Sequence, residues 1–203
     1  MKIKKMGCVL ALVLGSSAAN AGVTLFDNLT GQIEDGASGV SPGYIASSFS
    51  TGSFCSTGCT LGNITLRMFI EADTNINDIS LGLYSDAGTT FGSLITTLIN
   101  PTSINDSFED AVFTAQNLTT LSANTIYWVH LSAAPGSDGG EWGRSFTSNV
   151  SGNFDINGTH RGGNSPFLYK VEAEVSNVPV PASVWLMVTA LTGLVARTRK
   201  TIA

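Results

Sequence analysis

The chain has 203 residues, the size of one ordinary domain. Only 12% of them are charged, about half the usual share, and Ser, Thr, Asn and the 22 Gly dominate the rest. That composition excludes a coiled coil or helical bundle. An excess of 15 acidic over 10 basic residues argues against a nucleic-acid partner.

The charges are segregated. Lys2, Lys4 and Lys5 open the chain, and Arg197, Arg199 and Lys200 lie near its end. Between them only Arg67, Arg144, Arg161 and Lys170 face all 15 acids. The central region is therefore strongly acidic, which repels nucleic acid and anionic headgroups and suits solubility outside a cell.

Residues 1–21 have a basic start, an apolar stretch over 7–14 and a small-residue segment with Ala19 and Ala21 flanking Asn20. This is the layout of a secretory signal peptide read by the Sec export machinery, with cleavage expected after Ala21. The apolar stretch is too short for a permanent span.

The region from 22 to 177 reads as one all-β domain. Runs of apolar, Thr and aromatic residues, bounded by Gly, Asn, Asp and Ser, predict strands over 23–29, 44–50, 61–70, 79–85, 93–99, 111–118, 125–133, 141–147 and 166–175. In 61–70, alternation puts Gly62, Ile64, Leu66, Met68 and Ile70 on the buried face and Leu61 on the other. Nine or ten strands with frequent turns describe a β-sandwich or jelly roll. A Gly- and Pro-containing loop is expected over 132–140.

Cys55 and Cys59 enclose Ser56, Thr57 and Gly58. In an oxidising compartment their pairing is the default. A straight strand would hold them about 13 Å apart, whereas a disulfide needs under roughly 7 Å, so the segment is expected to be a tight turn that pins a loop.

From 175 to 196 no charge occurs. Val178, Pro179, Val180, Pro181 and Ala182 lead into an apolar stretch containing Trp185 and Leu186, followed by Arg197, Arg199 and Lys200. Pro181 suits the first turn of a helix. A helix over 181–196 would be roughly 24 Å long at about 1.5 Å per residue, a marginal span of a core of about 30 Å. The basic residues after it would place its end in the cytoplasm. The order Val-Pro-Val-Pro-Ala, apolar helix, basic cluster resembles the PEP-CTERM sorting signal of Gram-negative bacteria, with Val180 where the usual motif has Glu. The resemblance implies a transient inner-membrane anchor over 178–203. A protease-transpeptidase of the exosortase class would cut near residues 179–181 and release the domain to the cell surface or an exopolysaccharide matrix. The other reading of the tail is an ordinary membrane anchor.

The body has a resemblance of its own. Residues 25–29 (Leu-Phe-Asp-Asn-Leu), 81–86 (Leu-Gly-Leu-Tyr-Ser-Asp) and 127–129 (Tyr-Trp-Val) are similar to a choice-of-anchor exported domain of the R type. That family implies location and fold and supplies no catalytic residues.

Sites of chemistry are few. Gly39, Ser41 and Gly43 spell G-x-S-x-G, but Pro42 lacks the N–H that a nucleophile elbow requires after its serine. Asp73, Asn75, Asn77 and Asp78 start like a calcium loop; an EF-hand is excluded because Gly and Glu are missing where Asp78 and Tyr84 stand. A looser calcium site stays open beside the plain reading as an acidic turn. No other cofactor is expected. His130 and His160 have no ligand spacing. Trp128 and His130 share one strand face, and Trp128 or Trp142 is either a sugar-stacking surface or core. The expected function is therefore a non-enzymatic exported surface or matrix protein, with a carbohydrate-binding module for exopolysaccharide as the alternative.

Overall fold

Apolar and Thr-rich runs, interrupted by Gly, Asn and Asp, form thirteen strands in a computed structural model. It describes residues 22–174 apart from 42, 57, 72–73, 138, 147–151 and 163–165. The strands are β1 Gly22–Asp27, β2 Gly36–Gly39, β3 Tyr44–Ser50, β4 Cys59–Ile70, β5 Ile79–Asp86, β6 Phe91–Ile99, β7 Glu109–Ala115, β8 Thr120–Leu121, β9 Ile126–Ala133, β10 Gly140–Arg144, β11 Phe154–Ile156, β12 Thr159–Arg161 and β13 Tyr169–Glu174. Among the described residues the only helical element is a 3-10 turn at Ile76–Asp78. The expected signal peptide at 1–21 and the sorting motif, apolar stretch and basic cluster at 178–203 lie outside the described residues.

The fold is all-β, as expected. One antiparallel sheet runs in the order β1-β13-β4-β7-β6-β5-β9-β3-β11-β12, with β10 pairing β4 and β2, and β8 pairing β4. The sheet curls at β6. Along most of its length β6 pairs β5, and only Leu98 and Ile99 pair β7, at Ala115 and Thr114. Two register shifts against β5 put extra residues into β6, and such bulges bend a strand.

The curl encloses the core. Ile64, Leu66, Phe113 and Val171 of β4, β7 and β13 share one cluster with Ile45, Phe49, Leu81, Leu83, Val129 and Leu131 of β3, β5 and β9. Polar bonds cross the same gap. The Tyr169 hydroxyl donates to Ser48 O at 2.8 Å, and Ser47 Oγ donates to the Tyr169 hydroxyl at 3.3 Å. Burial pushes the Tyr169 hydroxyl well above its ordinary pKa, which keeps it a neutral donor. Asn28 is buried with both ends used: Nδ2 donates to Phe167 O at 2.6 Å, and Oδ1 accepts from Tyr169 N at 2.9 Å.

β4 departs from the expected alternation. From Ile64 onward the even residues are buried, but Cys59 and Leu61 are buried too. The pairing with β13 slips between Asn63 and Leu61, opposite Glu172 and Ala173. Gly62 occupies this bulge, which reverses the parity so that odd residues before it and even residues after it face the core. The expectation that Gly62 faces inward and Leu61 outward is thereby corrected.

Other boundaries shift for local reasons. The strand expected over 111–118 ends at Ala115, and Leu118 is 88% exposed in the following turn. The hairpin of β11 and β12 is additional to the expected strands. Its turn is Asn157-Gly158, with φ of 50° and 82°, the left-handed pair favoured in two-residue hairpins. Short β2 and β8 were also not expected; each is only a few residues long and gains its place by pairing with β10 or β4.

Phe113 is fully buried at the centre of this core. Phe113→Ala should lower unfolding free energy by about 3–5 kcal/mol in urea titrations, whereas Leu118→Ala should change it by less than about 0.5 kcal/mol.

Candidate functional site

Cys55 and Cys59 form the expected disulfide, with Cα atoms 5.0 Å apart. The intervening chain is a tight turn: Gly58 N donates to Cys55 O at 2.9 Å, and Gly58 takes φ of 81°. Both sulfurs are buried where β4 begins, so the bridge ties the 51–58 loop to that strand.

Trp128 and Trp142 are both fully buried. Trp142 packs on Phe167 and Tyr169 and donates from Nε1 to Leu168 O at 3.0 Å. Trp128 lies on the outer face of β9, donates from Nε1 to Asp86 Oδ1 at 2.8 Å and is covered by Phe91 and His160. Neither indole presents a ring face on which a sugar could stack. The expectation of a shared strand face for Trp128 and His130 holds.

On that outer face His130 sits among three aromatic rings. Tyr44 stacks on it at 4.7 Å, and Tyr84 and Phe91 lie at 4.8 Å. The β11–β12 hairpin closes one side. Asp155 is buried, hydrogen-bonds the Tyr44 hydroxyl and accepts from Gly158 N at 2.8 Å. Asn157 Oδ1 accepts from Tyr44 N at 2.7 Å. A Cβ at Gly43 would run into the Asn157 side chain. Burial holds the Tyr44 hydroxyl above its ordinary pKa, with Asp155 adding to the effect. Burial lowers the His130 pKa, against a smaller opposing pull from its own backbone and from Asp155. The ring contacts and the Asp155 and Asn157 bonds thus latch the hairpin to the sheet.

The opposite outer face, on β4, β7 and β13, is polar and open. A groove of about 520 Å³ runs over Asn63, Thr65 and Arg67 of β4, between Lys170 and Glu172 of β13 and Asp110 and Val112 of β7. Its wall is the Leu29–Gln32 turn, fixed by Asp27 Oδ1, which accepts from Leu29 N at 2.9 Å and from Thr30 N at 2.8 Å. Burial pushes the Asp27 carboxyl up, but the Thr30 and Leu29 bonds and the Lys170 charge outweigh it and hold the pKa below the ordinary carboxylate value. Arg67 Nε lies 2.9 Å from Asp110 Oδ1, and Lys170 Nζ lies 3.0 Å from Glu172 Oε1. Arg67 Nε nevertheless lacks the alignment of a hydrogen bond, and Asn63 Oδ1 has no hydrogen-bond partner. Composition gave no signal for this groove; it arises from the register that sets β13, β4 and β7 side by side.

Of the calcium-loop residues, Asp73 lies outside the described residues. Asn75 Oδ1 accepts from Asn77 N and Nδ2 and caps the 3-10 turn that contains Asp78. Among the described residues no group of three or more His, Cys, Asp and Glu side chains converges as metal ligands would. Ser41 of the G-x-S-x-G segment donates its hydroxyl to Ser137 O and so ties two loops together.

No protein-family model matches the chain, and no curated protein is similar to it in sequence.

Two outcomes follow for stability. Reducing the disulfide should lower unfolding free energy by about 2 kcal/mol, the loop-entropy value for so small a ring, read as a lower denaturation midpoint under reductant. His130 binds its proton less well folded than unfolded, so its contribution is complete above pH 6.5 and is lost as pH falls below that value toward the folded pKa. Unfolding free energy should therefore drop between pH 7.5 and 5, and His130→Phe should flatten that part of the profile.

Proposed function

We propose that the chain is an exported bacterial surface or matrix protein without catalytic activity. In this reading it is held briefly in the inner membrane by its C-terminal stretch and released by an exosortase-type enzyme. The supporting observation is the order Val178-Pro179-Val180-Pro181-Ala182, uncharged stretch, then Arg197, Arg199 and Lys200. A residue before proline is biased to extended backbone, which suits a protease, and a membrane anchor needs no such break. Among the described residues no helix is long and apolar enough to cross a membrane. The proposed span falls beyond them.

The body fits this destination. A buried disulfide in so small a loop is at home in an oxidising compartment, and a surface rich in Ser, Thr, Asn and acid suits the exterior. The curled sheet supports a finer reading as a two-layer sandwich of the jelly-roll kind. Of the side chains that the sequence offered for chemistry, Ser41 bonds a backbone carbonyl and His130 is enclosed by rings.

Intact-mass measurement of the protein recovered from medium or cell surface tests the proposal. The expected product begins at residue 22 and lacks residues 182–203. Replacing Pro179 and Pro181 with Ala should leave the full tail attached and the protein in the membrane fraction. Recovery of a surface product that retains the tail would overturn it.

A further inference from the structure

Strand direction brings both limits of the described body to one end. β13 finishes there at Glu174, opposite Thr60 near the start of β4, and β1 begins there with Gly22 opposite Glu174. The 51–58 loop that enters β4 lies at the same end. So does the 116–119 turn, which leads into β8 opposite Cys59 and Thr60. Each presents a large apolar side chain to solvent: Phe54 is 66% exposed and Leu118 88%. Ile126, opposite Ser50, adds a third at 41%. The loops are anchored. Cys55, next to Phe54, is bridged to Cys59, and Thr119 O, next to Leu118, accepts from Leu61 N at 2.8 Å. Apolar side chains fixed in water on anchored loops mark a contact surface.

Charge runs along the same axis. No Asp, Glu, Lys or Arg occurs over 36–66 or 111–137, so both loops are neutral. Glu71, Asp78, Asp106, Glu109 and Glu141 stand at the opposite end, where β4 finishes and β5 and β7 begin. At the near end the described acids are Asp86, Glu172 and Glu174, and Asp86 is occupied by Trp128 Nε1 and Gly88 N.

The chain beyond Glu174 says what this end meets. Only residues 175–181 separate it from the expected span, and seven residues reach at most about 25 Å. An apolar, neutral surface gains by entering the lipid interface, whereas an acidic one is repelled by anionic headgroups. We propose that, while the tail is in the membrane, this end of the body rests on the bilayer. Phe54 and Leu118 enter the headgroup layer, and the acidic end faces outward. The inference rests on the reading of the C-terminal stretch as a membrane anchor. The tether supplies lipid at high effective concentration, so a few side chains suffice. Cutting the tail removes that advantage and frees the body.

The test uses the full-length protein, exported and purified from a host that lacks an exosortase, in vesicles of phosphatidylcholine and phosphatidylethanolamine. Lipids brominated on their acyl chains should quench Trp185 of the apolar stretch, read as the difference from Trp185→Phe. In the Trp185→Phe background, Trp128 and Trp142 are buried and give a constant signal. There Phe54→Trp and Leu118→Trp should each lose about half of their added fluorescence to lipids brominated near the headgroups, as an interfacial indole does. Ser103→Trp, in the exposed loop at the acidic end, should lose less than about one tenth. All three positions are exposed, so the substitutions leave the core intact. Quenching of Trp185 with none at positions 54 and 118 would overturn the inference and leave the anchor standing. Absence of Trp185 quenching would remove the anchor reading and the inference with it. Equal quenching at position 103 would refute the stated orientation. Blue-shifted emission at 54 and 118 without quenching would show a second copy there in place of lipid, and would also refute it.

Discussion

The described fold depends on a single strand that is hydrogen-bonded along both edges. β4 carries twelve residues and pairs β13 and β10 on one side, β8 and β7 on the other. A strand with neighbours on both sides must place its whole hydrophobic set on the core side. Any uncompensated slip by one residue would turn that set outward. The bulge at Gly62 is what permits twelve residues to do so, because it lets Cys59 and Leu61 face the same way as Ile64, Leu66, Met68 and Ile70. The disulfide at the start of the strand fixes where the count begins.

The same strand sets the character of one outer surface. Asn63, Thr65 and Arg67 point away from the core because their neighbours point into it, and the register brings Lys170, Glu172 and Asp110 alongside them. The result is a polar groove of balanced charge. On the other part of the curl, β3, β5 and β9 place aromatic rings outward, and those rings close on one another and on His130. An outward side chain there is not a free one. The β11–β12 hairpin and Phe91 bury Trp128 although it lies on the outer face.

Much of this was legible from residue order, and the failures have physical causes. Alternation placed β3 at its observed limits and located β5 and β9 within a residue, since each has one face in the core. It failed at Leu61 because periodicity cannot show an inserted residue. It passed over the Asn157-Gly158 hairpin, whose turn dipeptide was a usable signal, because the flanking strands are only three residues long. The spacing of Cys55 and Cys59 was enough to require a turn. The sequence placed Trp128 and His130 on one face but could not say that a distant hairpin would cover them. The groove had no local signature at all, because its residues come from β4, β7, β13 and the turn after β1.

The pairing of β1 with β13 joins Gly22 to Glu174, the first and last described residues. Among the described strands β1 has no other ladder partner. The earliest part of this body to leave a ribosome or pass through a narrow pore must therefore wait, unpaired, for the latest. Such a topology has a large sequence separation between contacting strands and closes slowly. It keeps one edge of the sheet unfinished until the last strand of the body is available to pair with the first.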